Sequence, residues 1–169
     1  MQASYCSFFT LISLLILIGC ARKEESPQSV SDNETYFSIP IDNTPLKLQL
    51  ALTQSEQAKG LMYRDSLPKD HGMLFLFKNP GPRAFWMRNT RISLDLAYFD
   101  ANGLLLEVHP LYPYDENAVH SNSRHVLIVV ETNRGWFLRN NIRPGAGIDL
   151  KALKQAISAR GYSPTDYSF

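Results

Sequence analysis

The sequence predicts a mainly β protein, a small single-domain sandwich or barrel of jelly-roll-like character with one or two short helices. Three observations carry that expectation. From residue 35 onward, apolar runs of four to eight residues recur, most of them β-branched or aromatic, with turn formers between them. Leu46, Leu48, Leu50 and Leu52 alternate with polar or small residues, the period of a half-buried strand. Long helices between strands, which crossovers in a parallel sheet require, are missing from the pattern.

Residues 35–52 read as a hairpin, with Asp42-Asn43-Thr44-Pro45 supplying the turn. Thr53-Gln54-Ser55-Glu56 matches a capping box, so a short helix follows as far as about Met62, with Gly60 near its end. Gly72 to Phe77 is a short apolar run suited to a strand buried on both faces. Asn79-Pro80-Gly81-Pro82 predicts a turn. Four further strands are expected at Ala84–Arg88, Ile92–Phe99, Leu104–Val108 and His125–Glu131, with a hairpin turn at Asp100–Gly103. His109 to Arg124 reads as a long loop. Gly135–Asn141 suits a helical turn, Ile148–Lys151 a last strand, and Ala152–Arg160 a C-terminal helix that Gly161 closes.

The N-terminus follows a different logic. Phe8 to Ile18 is an eleven-residue apolar run, shorter than the ~20 residues a spanning helix needs. It fits the apolar region of a secretory signal peptide. The run ends in Leu17-Ile18-Gly19-Cys20, which resembles the bacterial lipobox. That resemblance implies cleavage before Cys20, a diacylglycerol on its sulfur and, usually, acylation (palmitate) of the new amino group. The segment MQASYCS before the run has no Lys or Arg, a departure from the positive charge that signal peptides normally carry there. Residues 21–34 are polar, with one Pro and no aromatic residue, the composition of a tether. The expected organisation is a signal peptide over 1–19, a lipidated cysteine and tether over 20–34, a β domain over 35–151, and a C-terminal helix and tail over 152–169. Ala21 after the cysteine is not Asp, so by resemblance to the usual sorting rule the expected location is the periplasmic side of an outer membrane.

Composition narrows the function. Seventeen basic and sixteen acidic residues give a net charge of +1, without the basic excess of a nucleic-acid binder. Both cysteines, Cys6 and Cys20, lie in the first twenty residues. The folded part therefore has no disulfide, thiolate metal site or cysteine nucleophile.

A set of motifs remains: Gly60-Leu61-Met62-Tyr63-Arg64, Gly72-Met73-Leu74-Phe75, Phe85-Trp86-Met87-Arg88-Asn89-Thr90, Leu94-Asp95, and Val130-Glu131 before Gly135. Their order and spacing, from about Leu50 to Asp149, resemble the signature of domain-of-unknown-function family 192. The Phe-Trp-Met-x-Asn-Thr block is its specific element. The resemblance implies a compact, mainly β fold and no established reaction. Ser93 stands where the family usually has Pro.

No Gly-x-Ser-x-Gly elbow occurs. His120 and His125 have zinc-compatible spacing but sit in a polar loop, and Met62, Met73 and Met87 suit core filling as well as a soft metal. Gly145-Ala146-Gly147 lacks a phosphate-binding fingerprint. Asp95 and Glu131 each fall on strand faces that also carry apolar side chains, where a carboxylate must be paired or protonated. The expectation is a binding module, monomeric, without metal or cofactor, for a small polar ligand or an envelope partner. Its candidate site gathers Arg64, Trp86, Asn89, Thr90, Asp95 and Glu131 into one patch. Two alternatives stand beside it: an acid/base enzyme acting on a glycan-like substrate through Asp95 and Glu131, and a structural or accessory role in envelope assembly.

Overall fold

The computed structural model describes residues 32–169, together with Met1. The expected signal peptide, Cys20 and most of the tether lie outside the described residues. Among those described, no helix is long and apolar enough to cross a membrane.

Among the described residues there are eight strands: β1 (Phe37–Ser38), β2 (Lys47–Ala51), β3 (His71–Gly81), β4 (Ala84–Phe85), β5 (Leu94–Phe99), β6 (Leu105–Leu111), β7 (Val119–His120) and β8 (Val126–Asn133). Six of them form one sheet in the order β1-β2-β3-β8-β5-β6, and β4 pairs with β7 apart from it. The helices are α1 (Gln54–Lys59), α2 (Trp136–Arg139) and α3 (Leu150–Ala159), and a 3-10 turn follows at Pro164–Asp166. The mainly β, single-domain expectation holds, in a sandwich-like form. The sheet does not close into a barrel.

The two faces of the sheet carry separate apolar clusters. On one, Leu48, Leu50, Leu74, Ala97 and Val130 meet Trp136 and Phe137 of α2 and Leu153, Ala156 and Ile157 of α3. The C-terminal helix is thus part of the same core. On the other, Met73, Phe75, Leu96, Tyr98 and Val129 meet Leu61, Leu67 and Met87. This second face is covered by loops, α1 and the β4–β7 pair, and it holds the candidate site.

Three local expectations are corrected. β2 and β3 run parallel, with Leu48 opposite Gly72 and Ala51 opposite Phe75. A single six-residue helix, α1, makes the crossover, so the long helix that the sequence lacks is not needed. Thr53 caps α1, accepting from the Glu56 amide while the Glu56 carboxylate accepts from the Thr53 amide. Ile148–Lys151 is not a strand: Ile148 makes a single isolated bridge, to Ile41, and Asp149 caps α3 by accepting from the Ala152 amide. Asn79–Gly81 stays inside β3 as an irregularity. Leu76 pairs with Ile128 and Gly81 with Val126, so the register shifts between them and β3 carries extra residues there.

Packing is tight where β3 meets β8. A Cβ on Gly72 would lie 2.3 Å from the carbonyl oxygen of Glu131 and 2.9 Å from a Leu48 methyl. Only glycine lets the two backbones approach this closely.

Candidate functional site

Strand parity decides which candidates meet. Leu96 pairs with Glu131 on β8, and Met73 pairs with Glu131 from β3, so these three side chains share the second face. Asp95 pairs with Thr132, one position along, and therefore projects from the opposite face. Asp95 and Glu131 do not share a site. The expected convergence of all six candidates is corrected on this ground, and paired-carboxylate catalysis loses its geometry with it.

Asp95, almost fully buried, is already satisfied. Arg134 Nη1 donates to its Oδ1 at 2.6 Å. Arg64 serves a third place. It donates to Gln49 Oε1 at 2.6 Å and to the Tyr36 hydroxyl at 3.1 Å, and its nearest carboxylate is Glu34, at 3.8 Å. These bonds tie β2 to the chain entering the domain. Asn89 has φ +53°, in the left-handed region that Asn tolerates better than most residues. Its side chain donates to the Tyr63 hydroxyl and its carbonyl accepts from the Tyr63 amide. Asn89 thus shapes a turn and clamps the segment before it.

Trp86, Thr90 and Glu131 do come together. They border one cavity of about 380 Å³ between α1, the end of β3 and the Arg83–Trp86 segment. Phe75, Phe77 and Phe85 supply further aromatic wall. Phe85 is edge-on to Phe75, with ring centroids 5.0 Å apart. Trp86 stands at the rim, 51% exposed, with the Arg88 guanidinium 4.9 Å from its ring centroid. Met87 between them turns inward and is buried, so the side chains alternate as the sequence predicts although the strand ends at Phe85. The α1 wall is fixed from behind. Gln57 donates to the carbonyls of Ala51 and Leu76, and Arg160 bridges the Leu50 carbonyl and the Glu56 carboxylate.

Glu131 is the anomaly. It is 5% exposed, and its carboxyl has no hydrogen-bond or ion-pair partner among the described residues while it borders the cavity. Burial pushes its pKa up to about 8, so at neutral pH it is mainly the protonated acid and a hydrogen-bond donor. Arg83 borders the same cavity. Its guanidinium lies 3.8 Å from the Phe77 ring centroid and donates to the Asn79 carbonyl, while its buried Nε has no acceptor. Burial lowers the Arg83 pKa, yet a guanidinium remains charged at neutral pH.

Sequence reasoning missed Arg83, the phenylalanine wall and the contribution of α1. The phenylalanines were legible in principle, since Met73, Phe75 and Phe77 share parity on β3. Arg83 was not, because the irregularity before it places it. The remaining sequence candidates do not assemble a metal centre: among the described residues no group of three or more His, Cys, Asp or Glu is arranged to hold an ion. Met73 and Met87 lie in the apolar cluster, and His120 and His125 are exposed.

Fold and cavity together define a single-domain, mainly β protein with one aromatic-walled recess on its second face. The chain belongs to the DUF192 family, described as "Uncharacterized ACR", which matches residues 37–150. Two crystal structures resemble it. A protein from Sinorhizobium meliloti 1021, titled as a proposed transcription regulator, is 28% identical with a TM-score of 0.67, over 72% of this chain and 98% of that one. A protein of unknown function from Novosphingobium aromaticivorans DSM 12444 is 34% identical with a TM-score of 0.64, over 68% of this chain and 84% of that one. No curated protein matches the chain at a significant level.

Proposed function

We propose that this domain is a non-enzymatic binding module that takes a small molecule in the cavity bordered by Trp86, Thr90 and Glu131. One observation carries the reading: a buried, unpartnered carboxyl opens onto a preformed apolar recess. A buried polar group without a partner costs roughly 1–3 kcal/mol, and a ligand that completes its hydrogen bond removes that cost. Aromatic walls with a few polar groups are the usual composition of a small-molecule site. The lipobox-like Leu17-Ile18-Gly19-Cys20 supports a setting at the cell envelope, where acyl chains on Cys20 would hold the domain, as a monomer, on the periplasmic side of an outer membrane.

The test uses a neutral, solvent-sensitive dye, Nile red, as occupancy probe. Ala58 is exposed on α1 and borders the cavity, so Ala58→Trp covers the mouth without burying new bulk in the core. The wild type should take up the dye with enhanced fluorescence. Ala58→Trp should lose that enhancement at an unchanged melting temperature. Equal dye uptake by the two proteins would refute the proposal.

A further inference from the structure

We infer that the ligand of this cavity is an organic anion: an apolar, ring-sized body carrying a carboxylate or similar acidic oxygen group. The inference rests on the binding reading above and adds the chemistry of the occupant. Of the residues bordering the cavity, only Lys59, Arg83 and Glu131 ionise. Among the described residues Glu131 has no ion-pair partner and no donor to its oxygens, so a buried carboxyl in that position holds its proton. The site then presents the Glu131 O–H donor and two cations, Arg83 and Lys59, the latter 3.9 Å from the exposed Glu34 carboxylate outside the cavity. An anion complements all three. A protonated amine would face Lys59 and Arg83 and would have to strip the proton from Glu131 before gaining a counter-charge.

The body of the ligand follows from the walls. Phe75, Phe77, Phe85 and Trp86 offer ring faces and edges on which a planar or branched apolar group packs. The Arg83 guanidinium is already stacked on Phe77 and held by the Asn79 carbonyl, so its charge is pre-positioned before any ligand enters.

The other titratable groups near Glu131 leave this picture intact. From β5, Tyr98 shares the face, donates to the Val119 carbonyl, and has its pKa raised by burial and then by the charges of Glu107 and Glu131. From β6, His109 bonds Glu107 at 2.8 Å. From β3, His71 packs edge-on to Tyr36. From α1, Glu56 is taken by Arg160. Asp95 projects from the far face. None of these brings a cation to the Glu131 carboxyl.

Three probes of one shape test the inference with the full chain: 3-phenylpropionate, 3-phenylpropan-1-ol and 3-phenylpropylamine, each read by displacement of Nile red and by calorimetry. The anion should bind at least tenfold more tightly than the alcohol at pH 6.5, and the amine should bind more weakly than either. Above pH about 8, anion affinity should fall by about tenfold per unit as Glu131 loses the proton that the complex needs. In Glu131→Gln the amide keeps a donor, so binding should persist and lose that pH dependence up to about 9.5. Arg83→Gln should weaken the anion by about tenfold and leave the alcohol unchanged. Lys59→Gln, at an exposed helical position where only a solvent-exposed contact with Glu34 is lost, should weaken the anion severalfold with little change in melting temperature. Alcohol or amine binding as tightly as the anion would overturn the inference and leave the binding reading standing. So would Nile red uptake blocked by Ala58→Trp but displaced by no probe. No uptake of dye or probe at all would overturn both.

Discussion

The strongest physical prediction concerns Glu131 and pH. In the folded protein the carboxyl ionises near pH 8, against 4.5 for an ordinary glutamate. Below about pH 4.5 the side chain is protonated in both folded and unfolded chains and contributes no pH dependence. Between 4.5 and 8 the unfolded chain releases the proton and the folded chain keeps it, so ionisation favours unfolding. Stability should therefore fall with rising pH across this window, by ~1.4 kcal/mol per unit. The full window gives a loss of roughly 4–5 kcal/mol, complete above pH 8. Glu131→Gln removes the titration and keeps the shape. The assay is urea unfolding of both proteins from pH 4.5 to 9, followed as the difference between them, which cancels every other titrating group. The variant should gain on the wild type steadily as pH rises, then level off. A difference independent of pH, or one that moves the other way, would show an ionised and partnered carboxylate, and the reasoning built on a neutral Glu131 would fail.

Four further outcomes are expected, the last of them from the sequence alone. Asp95→Ala should cost about 1–3 kcal/mol in urea unfolding, the lower end because Arg134 is 43% exposed on its side chain, while dye uptake stays intact; lost uptake would connect Asp95 to the cavity. Asn89→Ala should cost about 1–2 kcal/mol because φ is +53°, whereas Asn89→Gly should cost less; equal losses would show that backbone conformation is not what selects Asn. Gly72→Ala should lower stability by about 3 kcal/mol or prevent folding, since its methyl would meet the Glu131 carbonyl at 2.3 Å; a wild-type melting curve would contradict that packing. Cys20→Ala should abolish acyl labelling and leave an uncleaved precursor, and equal labelling of wild type and variant would refute lipid anchoring.

Much of the fold was legible because it is written in short periods. The alternation around Leu48 and Leu50, the capping box at Thr53 and the turn at Gly103 each act over a few residues, and β2, α1 and the β5–β6 hairpin formed at those signals, although α1 ends at Lys59 and β6 runs on to Leu111 into the expected loop. The parallel pairing of β2 with β3 was not legible, because strand direction depends on the path of the segment between them. The expected strand at Ile148 failed for a local reason: four apolar-leaning residues cannot outweigh a helix that Asp149 caps directly. For the site, parity along each strand was correct but parity between strands was unknown. Asp95 and Glu131 each lay on an apolar-bearing face of their own strand. Only the pairing of Asp95 with Thr132 reveals that those faces point in opposite directions.

The two carboxyls show how differently one fold treats the same chemistry. Asp95 sits near the start of β5, where Arg134 reaches in from the turn after β8, and its charge is answered by the chain itself. Glu131 sits on β8, between β3 and β5 in the interior of the sheet, with Met73 and Leu96 as cross-strand neighbours. A leucine there would suit those neighbours and remove the desolvation cost. On the first face α2 and α3 pack apolar side chains against the sheet, and the Asp95 carboxylate there is answered by Arg134. On the second face the covering of α1 and the β4–β7 pair stops short, and the gap opens at Glu131, a buried carboxyl that no described residue partners. Residues that lower stability without a structural return concentrate at functional sites. That coincidence of gap, aromatic wall and unanswered acid is why the cavity, and not the Asp95–Arg134 pair, is where function is to be sought.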